Sequence, residues 1–109
     1  MKVELNMSEP TDKDVEQFWD LVEEVINLAN SKTETLDPGV VTSALMQATA
    51  RFNAFYVASS CESRKDFKED KDDALSRFTG DYKRRLAENL EDYIENYKIY
   101  MADDQGVQE

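Results

Sequence analysis

Histidine is missing from this 109-residue sequence, and several chemistries go with it. Ser-His-Asp and Cys-His catalysis both need an imidazole to carry the proton, and many zinc sites need one as a ligand. The Glu-x-x-His pairs that hold metals inside ferritin-like bundles are excluded on the same ground. Cysteine is scarce: Cys61 stands alone, so no disulfide can form within the chain, which suits a reducing compartment. The three glycines are isolated at positions 39, 80 and 106, so no glycine-rich loop can cradle a phosphate. Three glycines and two prolines are also too few for the frequent turns of an all-β fold, which points to long helices. No apolar run approaches the ~18 residues of a membrane span. Residues 1–7 lack the continuous apolar segment of a secretory signal, so a cytoplasmic location is expected.

What is present is charge, unevenly spread. The formal net charge is −11, from 13 Lys and Arg against 24 Asp and Glu. Residues 1–37 hold ten acids and three bases, whereas residues 38–62 hold only Arg51 and Glu62. Residues 63–101 mix nine bases with ten acids, and the last eight residues add three acids. An acidic surface repels phosphate backbones and anionic lipid heads, so neither nucleic acid nor membrane is an expected partner.

The hydrophobic spacing predicts three helices. Residues 1–10 read as a flexible leader. Thr11 is a good N-cap, Asp12 and Asp14 place acid in a positive first turn, and Val15, Phe18, Val22, Val25 and Ala29 then recur on one face. Asp37-Pro38 starts the second helix, with Leu36 placed to staple onto Val41. That helix runs to about residue 60 with a seam of Val41, Leu45, Ala48, Phe52 and Phe55. Being nearly free of charge, it is expected to form the core.

The third helix starts after Ser63 and keeps its phase from Leu75 through Phe78, Tyr82, Leu86, Leu90, Tyr93 and Tyr97. Gly80 sits inside that run with the grammar of a stop and restart, but an interior glycine costs only ~1 kcal/mol, so one long helix is favoured. The expected domain is 11–101, with 102–109 as a disordered acidic tail. The architecture is therefore all-α: a three-helix up–down bundle with a long third helix, or four helices if the chain breaks at Gly80.

Three stretches resemble a known family. They are Phe18-Trp19 with Ile26 to Asn30, Ala50-Arg51-Phe52-Asn53-Ala54-Phe55, and Asn89 to Tyr97. Across about residues 12–100 the chain is similar to a small proteobacterial family known as domain of unknown function 3144. The resemblance implies a small bacterial helical protein and carries no activity or site residue.

The candidate residues follow from the pattern. Arg51 is a lone guanidinium in the most apolar segment, so it either reaches solvent along its stem or is held by a carboxylate of the first or third helix. A small-molecule pocket, if present, would be built from Arg51, Asn53, Tyr56 and Gln47. A long third helix would leave Leu90, Tyr93, Ile94, Tyr97, Tyr100 and Met101 uncovered, which suits self-association or another protein partner. Lys83-Arg84-Arg85 points around ~200° of a helix and is expected to pair with acids of the first helix or a partner chain. The acidic rows Glu16, Asp20, Glu23, Glu24 and Glu88, Glu91, Asp92, Glu95 read as solvated faces rather than cation sites. Cys61 reads as a small buried hydrophobe rather than a redox thiol. No catalytic, metal or cofactor residue emerges. The expected role is a non-enzymatic interaction or structural protein, the alternative being a small-ligand binder or enzyme built on Arg51.

Overall fold

The computed structural model describes residues 10–102; the expected leader and acidic tail lie, apart from residues 10 and 102, outside the described residues. The described chain is all-α. It contains α1 (Asp12–Lys32), α2 (Pro38–Ser59), α3 (Arg64–Glu95) and a short α4 (Tyr97–Met101).

Each long helix starts where local chemistry directs it. Thr11 accepts a hydrogen bond from the Asp14 amide at 3.0 Å, and the Asp14 carboxylate accepts one from the Thr11 amide at 3.1 Å. This closes a reciprocal capping box over α1 and satisfies two donors that have no intrahelical partner. At α2 the Asp37 side chain accepts from the Gly39 amide at 2.9 Å, and Pro38 fills the first helical position, where its missing N–H is no loss. The Ser63 hydroxyl accepts from the Asp66 amide at 3.1 Å and opens α3.

At the C-terminal ends hydroxyls add a second hydrogen bond to carbonyls of the last turns. Ser31 and Thr33 donate to the carbonyls of Leu28 and Asn30 at the end of α1, and Ser59 and Ser60 both donate to the Tyr56 carbonyl at the end of α2.

The third helix is continuous through Gly80. A methyl group added there would meet nothing within 4 Å, so no close approach requires the glycine. The break falls instead at Asn96, whose backbone turns to φ −113°, ψ 30° before α4 begins. The Asn96 side chain donates to the Asp92 carboxylate at 2.9 Å and to the Asp92 carbonyl at 3.2 Å, where it shares the acceptor of its own backbone amide. Helical phase alone carried the expected helix past this point.

The chain forms two compact units that divide between Asp70 and Lys71. In the first, α1 and α2 are joined by residues 33–37 and contact each other over a short stretch. The expected α1 face is only partly covered: Phe18 and Ala29 are half-buried, Val15, Val22 and Val25 remain exposed, and Trp19 and Ile26, which would widen that face, are 61% and 49% exposed.

Helix α2 departs from expectation. Among the described residues only Val41, Val57 and Ala74 are buried, so α2 contributes two residues to the core and is not enclosed. Its predicted seam is covered only in its first half: Val41 is buried and Leu45 half-buried, whereas Phe52 and Phe55 are 65% and 62% exposed. Covering an apolar helix all round takes several neighbours, and α1 supplies one of them. Each large apolar side chain left in water forgoes about 1.5–3 kcal/mol of burial.

Candidate interaction surface

The four residues of the expected pocket do not converge. On a helix of 100° per residue, Gln47 and Arg51 share one side of α2 while Asn53 and Tyr56 lie on the other. Gln47 and Arg51 are exposed, and Asn53 and Tyr56 are half-buried. Arg51 is exposed and forms no ion pair among the described residues, so of the two expected arrangements it takes the one that reaches solvent along its stem.

The basic run on α3 also finds a different partner from the expected one. Arg84 donates to Asp81 at 2.6 Å and lies 3.5 Å from Glu88, while Arg85 donates to the second Asp81 oxygen at 3.0 Å. These are partners three or four residues apart on one helix, closer to hand than any other chain. The hydrogen bond from Arg85 holds the Asp81 carboxyl below the usual carboxylate range; burial opposes it, and the Arg84 hydrogen bond adds to the lowering. Arg77 pairs with Asp73 in the same way at 2.8 Å.

Cys61 is half-buried, and its thiol is pushed up, first by burial and then by Asp70 and Asp66. A raised thiol holds less thiolate, so Cys61 is a poor nucleophile. Both acidic rows are exposed, and no group of three metal-ligating side chains occurs among the described residues.

The predicted tyrosine-rich surface has a defined local structure. The turn at Asn96 lets Tyr100 return to Asp92, where its hydroxyl donates to the carboxylate at 2.8 Å. Residues eight apart in an unbroken helix are separated by about 12 Å along its axis, so this bond depends on the break. The Tyr93 and Tyr100 rings stack at 4.4 Å between centroids. The Asp92 hydrogen bond raises the Tyr100 phenol above its ordinary value, because ionising it would discard a donated bond and set two anions together.

With the tyrosines tied to each other, the most exposed apolar side chains here are Ile94 at 70% and Ile99 at 72%. A shallow notch of about 270 Å³ lies along Ile94 to Ile99. Of the residues expected on this surface, Leu90, Tyr93, Ile94, Tyr97 and Tyr100 are exposed and Met101 is half-buried. The sequence reading missed Ile99, because it is off phase for a helix continuing through Asn96. The surface of α2 is hidden in the sequence for another reason: the apolar spacing assigns Phe52 and Phe55 to the interior. Their rings pack on each other at 5.8 Å and face outward as a pair.

No match exists among the curated proteins. A solution structure determined by NMR, of protein NB7890A from a Shewanella species, is similar: 32% identical, covering 81% of this chain and 94% of that one, with a TM-score of 0.66. The family model described as protein of unknown function (DUF3144) matches residues 18–94. The stretches singled out in the sequence fall largely within that match, and the chain belongs to the family of all-α proteins of unknown function designated DUF3144.

Proposed function

We propose that this chain is a non-enzymatic interaction protein of the cytoplasm that works by associating with itself through apolar helix faces. The observation that carries this is the ratio of buried to exposed apolar side chains. Three are buried among the described residues, while Trp19, Phe52, Phe55, Ile94 and Ile99 each stand more than 60% exposed. Large apolar side chains left exposed on a chain of net charge −11 are a mark of unfilled contacts. The tyrosine-rich end of α3 with α4 is a second contact surface in this reading, since tyrosine buries its ring while its hydroxyl stays paired.

Two features support a non-enzymatic role: the absence of histidine, and the placement of Gln47 and Arg51 across the helix from Asn53 and Tyr56. For a location, no helix among the described residues is long and apolar enough to cross a membrane. Sedimentation equilibrium of the native protein at about 100 μM, well above the micromolar dissociation constants of many dimers, tests the reading. A mass of two or more chains is expected; a single-chain mass contradicts it.

A further inference from the structure

Resting on the reading above, we infer that the outward face of α2, centred on Phe52 and Phe55, is the seat of a second copy of this chain. The predicted seam of α2 is continuous along the helix but covered only at Val41 and Leu45. The rest of the seam, Ala48, Phe52 and Phe55, is exposed, and the exposed Ala44 lies beside it, the four residues spanning an arc of about 80°. The alanines let a neighbouring helix approach closely and the rings supply the contact.

The area is a substantial part of what a dimer needs. Phe52 and Phe55 each expose about three-fifths of their surface. At roughly 200 Å² per aromatic residue they offer on the order of 250 Å². A standard interface takes about 800 Å² from each partner, somewhat over half of it apolar, so about 450 Å² of apolar surface is needed. The two rings supply rather more than half of that, and the exposed Ala44 and Ala48 extend it.

Charge selects the occupant. In a symmetric contact a surface meets itself, so an acidic surface meets acid. The outer face of α1 carries Glu16, Asp20, Glu23 and Glu24, and the tyrosine-rich end carries Glu88, Glu91 and Glu95. Of the long helices α2 alone has no acidic residue, and its one charge, Arg51, borders the open seam. On a chain of −11 this is where two copies meet with least repulsion.

The test uses the native protein as an equimolar mixture of ¹³C-labelled and unlabelled chains, with NOEs filtered for contacts between copies. Intercopy NOEs to the Phe52 and Phe55 rings are expected. Phe52→Glu should weaken association at least thirtyfold, roughly the loss of an interface hot spot, while helical circular dichroism is retained. If that variant unfolds, the NOEs of the native protein still decide. A dimer whose intercopy NOEs are confined to Tyr93 and Ile94 overturns the assignment to α2 and leaves self-association standing. A monomer overturns both, and NOEs within the chain from Phe52 to residues beyond 70 would then identify its own third helix as the cover.

Discussion

Single residues explain the helix starts, because a cap is a local transaction between a side chain and amides two or three positions away. Thr11, Asp37 and Ser63 were all legible in the sequence for that reason, and each makes its expected bond. Thr11→Ala should lower stability by about 1 kcal/mol in urea unfolding, the usual cost of a lost cap; no change would remove the capping box from the account. Asp81 offers a pH test. Its folded value is depressed, so its contribution is present above the ordinary carboxylate value of about 3.9 and is lost as pH falls through the lower folded value. In an NMR titration its carboxyl should therefore have a midpoint below that of a model aspartate, and Arg85→Gln should move it back up. Tyr100 titrates with the opposite sense. Its raised value stabilises the α3–α4 turn below about pH 10, and that stability is lost as pH rises through the folded value. Asp92→Asn should lower the Tyr100 midpoint in an ultraviolet titration; an unchanged midpoint would mean that the Tyr100–Asp92 bond is not formed in solution.

At the scale of elements, periodicity gave the helices and their extents but not what covers them. The extent of α1, the start of α2 and the passage of α3 through Gly80 all follow from phase and propensity. The break at Asn96 does not, since Tyr97 is in phase with Tyr93 whether or not the helix continues. Its signal was the Asn96 side chain four residues after Asp92, a hydrogen bond that the apolar pattern ignores. The open half of α2 was illegible for a different reason. Spacing says that Phe52 and Phe55 seek burial, but it does not say whether the same chain provides it. Since Gly80 lies in mid-helix with open space around its Cα, Gly80→Ala should raise stability by up to about 1 kcal/mol and leave the mass in solution unchanged. A destabilised Gly80→Ala variant would show that another surface closes on that position.

For the whole molecule, exposed apolar area and small core are two sides of one fact. On the proposed reading, a chain with three buried apolar residues among those described, and phenylalanines in water, gains its missing burial when copies meet. Folding and association are then linked, and stability becomes a function of concentration. The most direct measurement is the urea midpoint of the native protein followed by circular dichroism at about 1 μM and again at about 100 μM. If two copies complete one another, the midpoint rises with concentration, because each tenfold increase favours the folded dimer by about 1.4 kcal/mol. A midpoint identical at both concentrations would mean that the single chain is complete by itself, and would contradict the account.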